Sequence, residues 1–292
     1  MLLAASLRRN SSAETVLTAY APAARKAELP PLLHEVFQAT GTDLRSFEVR
    51  PQMWRKPYPH GNKIIACAAA EADAGPRIRR ITFVDTDTLL RADMGADLLC
   101  DERVRMVAEG TPTWGKSPAD WERAYGFFGL PLPKERVKLV RGRKIAFLPY
   151  FNAGMVSFPT TVKGRSGMGF AEAWADTAAR FDQCSIANKR PWLDQITLPL
   201  TLYREGFAWV SMKDRYNYSL SDRVTKSIPP DTRLLHYHQG RYLMDYPDAL
   251  DAAVAAALEV LPSRAGAAFL DFIDAHLPLD RSRSVAQGPS SG

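Results

Sequence analysis

The chain of 292 residues is poor in cysteine and has no long hydrophobic run. Its three cysteines, Cys67, Cys100 and Cys184, are odd in number and far apart, which argues against a disulfide framework or a cysteine-ligated zinc site. No stretch approaches the roughly 20 apolar residues of a membrane-spanning helix. In the first segment, Met1–Arg9, the charges follow a very short apolar run, unlike the order in a signal peptide. These features predict a cytoplasmic protein without a transmembrane segment.

The sequence also lacks internal repeats, nucleic-acid-binding motifs and basic runs with interleaved aromatic residues. We therefore expect no nucleic-acid partner. The net charge of +6 is spread along the chain, which suits an anionic ligand or a loose peripheral contact with an anionic membrane surface. The hydrophobic fraction of 46% and the charged fraction of 24% are ordinary for a globular protein, and the length suffices for one α/β unit with a substantial core.

Strand and helix patterns alternate along the first ninety residues. The predicted order is strand Val16–Tyr20, helix Leu29–Thr40, strand Arg45–Val49, helix Asn62–Ala72 and strand Ile81–Val84. This alternation is typical of a sheet whose strands are joined by crossover helices. The fold class predicted is α/β, with a mainly parallel central sheet flanked by helices.

The patterns beyond residue 100 are less regular. Residues 101–140 are rich in Trp, Pro and Gly, which predicts an irregular excursion with one helix around Pro118–Gly126. Further predicted elements are the extended segment Lys144–Phe158, a helix over Gly169–Asp182, a turn and helix over 190–203, and helices over Pro247–Leu261 and Ala265–His276. The last residues, 281–292, form a Ser/Arg/Gly tail that we expect to be disordered.

Two carboxylates, Asp85 and Asp87, follow the apolar run Ile81–Val84. Ligands of α/β proteins gather at the carboxyl ends of strands, and residues at i and i+2 project to the same side of an extended chain. Two converging carboxylates repel each other unless a cation lies between them, and a hard ion such as Mg²⁺ or Mn²⁺ could then hold a diphosphate. The alternative is a solvated turn or a helix cap.

A second segment interrupts an apolar run with Asn152, Ala153 and Gly154. Glycine allows another group to approach the backbone closely, and asparagine can donate to and accept from sugar hydroxyls. The alternative is a β-bulge inside a core strand.

Three further segments contain side chains suited to binding a metal ion, a sugar or a diphosphate. Asp194 and Gln195 open a helical stretch, where a carboxylate beside an amide suits sugar hydroxyls or simply caps the helix. His236 and His238 stand at i and i+2 after an apolar pair, and either imidazole could complete a metal site, although a histidine near a strand is more often structural. Lys63, before an alanine-rich helix, is a candidate diphosphate contact or a solvated lysine.

Taken together, these segments resemble the retaining glycosyltransferases of family 8, the group that includes glycogenin and bacterial galactosyl- and glucosyltransferases, with a GT-A fold. The resemblance runs from residue 1 to about 245 in the family's order. The segments that carry it are Asn62–Ile64, Phe83–Leu90, Phe151–Gly154, Asp194–Gln195 and His236–Tyr237. It implies a GT-A-like transferase domain over 1–245, followed by a C-terminal helical extension over 246–280.

The resemblance implies a role for each candidate residue. Asp85, Asp87 and His236, with His238 as the alternative, would bind Mn²⁺ or Mg²⁺, and the ion would bridge the phosphates of a nucleotide-sugar. The implied donor contacts are Lys63, Thr86, Asn152, Ala153, Gly154 and Arg241, and the implied catalytic residues beside the transferred sugar are Asp194 and Gln195. The implied reaction is transfer of a hexose, with UDP-hexose as the expected donor, to a glycan, lipid or protein hydroxyl with retention of configuration.

The chain departs from the family pattern at two places. It starts with Leu2–Leu7, which resembles the helix after the family's first strand, so that strand is expected to be missing. The family's glycine follows its histidine by three residues, whereas Gly240 is four beyond His236, and Arg241 stands where the family has lysine.

Two alternative functions share some of these residues. The pattern of Asp85, Asp87 and Thr88 also occurs in phosphatases of the haloacid dehalogenase type, which place it near the N-terminus and add a later acidic pair. A non-catalytic sugar- or nucleotide-binding module is the second alternative.

Overall fold

The computed structural model describes residues 1–141, 144–220 and 227–277 of the chain, so the tail expected over 281–292 lies outside the described residues. The helices are α1 (Leu2–Asn10), α2 (Pro31–Thr40), α3 (Gly61–Ala72), α4 (Gly95–Leu99), α5 (Pro118–Phe127), α6 (Phe170–Gln183), α7 (Leu193–Glu205), α8 (Gly240–Met244), α9 (Pro247–Val260) and α10 (Ser263–His276). The strands are β1 (Leu17–Pro22), β2 (Thr42–Phe47), β3 (Arg80–Val84), β4 (Thr88–Leu90), β5 (Val104–Ala108), β6 (Val137–Lys138), β7 (Ala146–Phe147), β8 (Phe151–Pro159), β9 (Trp209–Met212), β10 (Tyr218–Ser219) and β11 (Leu234–His236).

The central sheet has four strands in the order β3-β8-β5-β9. Strand β8 is antiparallel to both β3 and β5, and only the pairing of β5 with β9 is parallel. The predicted α/β class is confirmed, but this sheet is mixed rather than mainly parallel. The reason is that β8 enters between β3 and β5 in the opposite direction, which the alternation of helix and strand patterns did not reveal.

Smaller sheets flank this centre. Strands β1 and β2 form a parallel pair, and β11 lies between β10 and β4, parallel to the first and antiparallel to the second. A short antiparallel pair, β6 and β7, belongs to the segment between β5 and β8.

The predicted elements before residue 100 are present within a few residues of their expected bounds. The region 101–140 differs, because it contributes β5 to the middle of the central sheet before the irregular segment and α5 begin. All five residues of β5 are buried. The prediction of an irregular excursion was therefore wrong at its start.

The largest apolar cluster packs α3, α5, α6 and α7 on the central sheet, with Ile64, Trp121, Phe158 and Trp174 fully buried. A second cluster joins α1 and α2 to the C-terminal helices α9 and α10. No helix in the described part of the chain combines the length and apolar character needed to cross a bilayer.

Candidate active site

The loop with the two aspartates lies where β3 and β11 end and β8 begins. It connects β3 to β4, and the backbone N–H of Asp85 donates to the carbonyl of Gly154 at the start of β8, 2.9 Å away. The backbone N–H of Tyr237, just after β11, donates to the carbonyl of Asp87 over 3.0 Å. Because these bonds extend the sheet ladders, the loop is fixed between β8 and β11.

His236 lies at the end of β11 and is only 3% exposed. Its Nε2 is 3.3 Å from Oδ1 of Asp87 and 3.9 Å from Oδ2 of Asp85. Burial alone would raise the pKa of the Asp87 carboxyl, but the hydrogen bond and charge of His236 lower it below its usual value. Nε2 of His236 therefore faces both aspartates, but both oxygens of Asp85 lie within 2.9 Å of Nζ of Lys63, so the place of Asp85 among the metal ligands stays a prediction.

Lys63, in the first turn of α3, connects this cluster to α7. Its Nζ is 2.8 Å from Oδ1 of Asp85 and 3.3 Å from Oδ2 of Asp194. Burial would lower the pKa of the Lys63 ammonium, but the charges of the two carboxylates outweigh it and raise that pKa. The lysine thus stays charged and bridges the two carboxylates.

His238 also approaches the cluster. The centroids of its ring and that of His236 are 3.8 Å apart, and its Nε2 contacts the hydroxyl of Ser219. Burial and the neighbouring His236 lower the pKa of the His238 imidazole to about 3. Ligand atoms of Asp87, His236 and His238 lie within 4.8 Å of one another, so both predicted imidazoles remain candidates.

Asp194 and Gln195 open α7 beside Lys63. The Asp194 carboxylate is buried and accepts from the hydroxyl of Tyr58 at 3.0 Å, while its backbone N–H donates to the same hydroxyl oxygen at 3.1 Å. Oε1 of Gln195 is buried and has no hydrogen-bond partner among the described residues. A buried amide oxygen without a partner is costly, which favours a ligand donor at this point.

The segment Phe151–Gly154 lies against the aspartate loop at the start of β8. Oδ1 of Asn152 accepts from two donors, the backbone N–H of Gly154 at 2.9 Å and Nδ2 of Asn217 at 2.8 Å. Ala153 is buried, and a Cβ at Gly154 would lie 2.6 Å from Nδ1 of His236. Only glycine allows the histidine to approach this closely.

Two predicted donor contacts lie away from these interactions. Thr86 has an exposed side chain between the aspartates. Arg241 is exposed in α8, where its guanidinium donates to the hydroxyl of Tyr242 over 2.8 Å. Within the described ranges we find no hydrogen bond or ion pair between Arg241 and the aspartates, so its role stays a prediction.

Two residues near the site were missed by the sequence reasoning. Glu109 follows β5 and is 9% exposed, with Oε2 accepting from Nδ2 of Asn152 at 3.0 Å. Asn217 is 4% exposed, and its Oδ1 is 3.0 Å from Nδ1 of His236. A carboxylate directly after a short apolar run, as at Asp85, was a usable signal for Glu109, whereas nothing around Asn217 distinguished it.

The donor set fits a hard divalent ion. Carboxylates and an imidazole are ligand types that Mn²⁺ accepts, and the carboxylates also suit Mg²⁺. Nδ1 of His236 already has a partner in Asn217, so Nε2 is the nitrogen that faces Asp85 and Asp87.

Comparisons with known proteins identify the family. Residues 1–206 match the family model described as the Rhodobacterales glycosyltransferase domain. No curated protein matches the chain. Among solved structures, mouse xyloside xylosyltransferase 1 is 12% identical with a TM-score of 0.48, covering 81% of this chain and 90% of its own. The galactosyltransferase LgtC, solved with donor and acceptor sugar analogues, is 12% identical with a TM-score of 0.47, covering 86% of this chain and 98% of its own.

Proposed function

The chain belongs to the Rhodobacterales glycosyltransferase domain family, and on that premise we propose that it transfers a hexose from a nucleotide-diphospho-sugar to an acceptor hydroxyl in a metal-dependent reaction. The glycosyltransferase class follows from the family. The hexose, the Mn²⁺ or Mg²⁺ ion, a UDP-linked donor and retention of configuration are parts of the proposal. The α/β fold fits the GT-A type expected from the sequence.

One observation carries the proposal: Nε2 of His236 faces Asp87 and Asp85 at 3.3 and 3.9 Å. Asp85, Asp87 and His236 would hold the ion, with His238 close enough to serve as an alternative ligand. When bound, a divalent ion stabilises the negative charge that builds on the diphosphate as the sugar departs.

The residues beside the aspartates suit the sugar. Asp194 is held in place by Tyr58, and the free Oε1 of Gln195 can accept a hydroxyl hydrogen. Lys63 holds the carboxylates of Asp85 and Asp194 near each other, and its ammonium can also attract the donor phosphates. These contacts would orient the anomeric carbon while its bond to the diphosphate oxygen breaks and the bond to the acceptor oxygen forms, with the acceptor's proton passing to the departing diphosphate.

A cavity of about 430 Å³ beside α7 supports an acceptor site. Its lining includes Trp192, two residues before Asp194, and Trp114 and Thr113 from the Trp-rich segment after β5. The hydroxyl of Thr113 is 2.6 Å from that of Tyr150, which connects this cavity to the start of β8. Indole rings provide flat apolar surfaces on which a sugar ring can pack.

The test is Mn²⁺-dependent hydrolysis of, or transfer from, a panel of UDP- and GDP-hexoses by the purified chain. Asp87→Asn removes one ligand charge with little change in shape, and we expect loss of at least 100-fold in rate. Asp93→Asn is the matched control, because Asp93 is exposed and accepts a hydrogen bond from the backbone N–H of Gly95 at 3.1 Å.

Other outcomes would favour the alternatives. If calorimetry with Mn²⁺ detects no binding of any nucleotide-sugar in the panel, the proposal is overturned. Binding without turnover would indicate a non-catalytic module. Hydrolysis of an aryl phosphate that is abolished by Asp85→Asn would indicate a phosphatase, an activity that the family assignment disfavours.

A further inference from the structure

We infer that Asn217, Asn152 and Glu109 are positioning residues that fix the tautomer of His236 so that its bare Nε2 faces the aspartates. This inference rests on the proposed metal site, and it assigns a function to buried and half-buried polar groups that would not themselves touch the ion.

The direction of the hydrogen-bonded chain is set by the backbone. The N–H of Gly154 can only donate, so the Asn152 side-chain atom that it meets at 2.9 Å must be the carbonyl oxygen Oδ1. The amide nitrogen of Asn152 therefore points the other way, toward Oε2 of Glu109 at 3.0 Å. This orientation is chemically consistent, because a carboxylate accepts hydrogen bonds.

The same reasoning continues to the next amide. The second group that meets Oδ1 of Asn152, at 2.8 Å, must be a donor, so it is Nδ2 of Asn217. Oδ1 of Asn217 is then the atom that faces Nδ1 of His236, 3.0 Å away. An amide oxygen can only accept, and Nδ1 of His236 must therefore carry the proton.

This tautomer matters for ion binding. With the proton on Nδ1, the lone pair of Nε2 is directed toward Asp87 and Asp85. In the other neutral tautomer, the proton on Nε2 would block that lone pair and Oδ1 of Asn217 would face a second acceptor. Partners outside the ligand shell commonly set histidine orientation in metal sites, and losing one typically weakens metal affinity 10- to 100-fold.

Glu109 ends the chain with its carboxyl group, whose pKa is raised by burial. Its Oε1 accepts from the backbone N–H of Gly110 at 2.6 Å, which leaves Oε2 for Asn152. Every side-chain donor from His236 onward therefore points toward a buried carboxylate. Positive charge induced on the imidazole when an ion binds would be stabilised through this chain.

The first test needs no metal ion, because it reads a histidine of the metal-free wild-type chain. In the metal-free protein labelled with ¹⁵N-histidine, the spectrum of His236 should show a proton on Nδ1, the nitrogen that faces Oδ1 of Asn217. The signal is assigned by its loss in His236→Gln. An unprotonated Nδ1 in the wild-type chain would overturn the inference, whether or not the protein proves to be a transferase.

The second test measures Mn²⁺ affinity by calorimetry in three variants. Asn217→Ala removes the acceptor, and we expect a 10- to 100-fold weaker affinity together with a mixture of His236 tautomers. Asn217→Asp keeps an acceptor at Nδ1 and should retain the tautomer and bind more tightly than Asn217→Ala. Asn10→Ala is the control for a lost side-chain amide, because Asn10 donates to the carbonyls of Ser6 and Leu90, at 3.0 and 2.8 Å, and has no hydrogen bond to His236 or the aspartates among the described residues.

The two proposals can fail separately. If wild-type chain binds Mn²⁺ and Asn217→Ala binds it equally well with an unchanged tautomer, the positioning role is wrong while the metal site stands. If the wild-type chain binds no Mn²⁺ but has the expected tautomer, the metal site fails and the hydrogen-bonded chain stands.

Discussion

At the scale of single residues, Lys63 compensates the negative charge of two neighbouring carboxylates in the site. Its side chain is 14% exposed and pairs with Asp85, which is 21% exposed, and with Asp194, which is 6% exposed. Without the ammonium, two largely buried carboxylates would lack their cation. Removing one partner from a buried ion pair is strongly destabilising, because the remaining charge is desolvated without compensation.

We therefore expect Lys63→Met to lower the free energy of unfolding by roughly 3 kcal/mol in metal-free protein, measured by urea denaturation. Lys56→Met makes the same chemical change at an exposed position, and its effect should stay within about 0.5 kcal/mol. Equal stability of the two variants would show that the lysine is not needed to hold the carboxylates together.

Gly154 lies so close to the side chains of the same site that there is no space for a larger residue. A Cβ there would lie 2.6 Å from Nδ1 of His236 and 2.8 Å from Oδ1 of Asn152, at the centre of the hydrogen-bonded chain. Gly154→Ala should therefore displace the imidazole, weaken Mn²⁺ binding and lower stability by about 1–3 kcal/mol. Calorimetry with Mn²⁺ and thermal denaturation measure the two effects.

Gly126→Ala provides the matched control, since Gly126 lies in α5 and a Cβ there meets nothing within 4 Å. We expect this change to be neutral or to stabilise the protein by up to about 1 kcal/mol, because alanine favours helix. If Gly154→Ala behaves like Gly126→Ala, the close approach of His236 to β8 is not important.

Part of the candidate site could be predicted because its chemistry is visible locally. Asp85 and Asp87 follow an apolar run, and two histidines follow another, so each pair stands out in the sequence. Asn217 does not stand out, because its importance depends on β11 placing His236 within 3.0 Å of it. Partners that act through a second residue are defined by three-dimensional contact, which no local pattern encodes.

At the scale of elements, α6 begins against a side chain from another helix. Its N-terminal backbone N–H groups at Ala171 and Glu172 both donate to Oε2 of Glu71, each over 3.1 Å. Glu71 lies near the end of α3, so one carboxylate satisfies the first turn of α6 and connects the two helices.

Glu71→Ala should lower the free energy of unfolding by about 1–2 kcal/mol, the usual cost of losing a side-chain cap. Urea denaturation measures the change. Glu122→Ala, at an exposed position in α5, is the control, with an expected change of less than about 0.5 kcal/mol. A loss no larger than in the control would mean that water replaces the carboxylate at this helix end.

Strand β5 illustrates why some elements were missed. Its five residues are short for a confident strand pattern, and Arg105 interrupts the apolar run. In the structure Arg105 is 5% exposed, and its guanidinium is 2.7 Å from Oδ2 of Asp101. The ion pair makes a buried arginine tolerable, but only the folded chain brings the two charges together.

At the scale of the whole molecule, the C-terminal helices pack on the beginning of the chain. The cluster they share contains Leu2 and Val36 from α1 and α2, and Leu250 and Phe269 from α9 and α10. The family match ends at residue 206, before these helices start. The expected division into a domain over 1–245 and an extension over 246–280 therefore raises the question of whether the extension unfolds independently.

The tryptophans make this question testable. All six lie between Trp54 and Trp209, so intrinsic fluorescence reports on the part of the chain before the C-terminal helices. Phe269 is fully buried against the first helices, and Phe269→Ala should cost about 3–5 kcal/mol. Because α9 and α10 cover apolar side chains of α1 and α2, we expect this loss to lower the midpoint of the fluorescence-detected transition as well.

Leu99→Ala is the control, since Leu99 is 63% exposed and its truncation should leave the midpoint nearly unchanged. Circular dichroism follows the helices in the same samples. If Phe269→Ala splits unfolding into an early helical loss and an unchanged tryptophan transition, the extension is an independent unit. If both probes instead report a single transition whose midpoint Phe269→Ala lowers equally, the helices after residue 246 stabilise the elements that carry the candidate site.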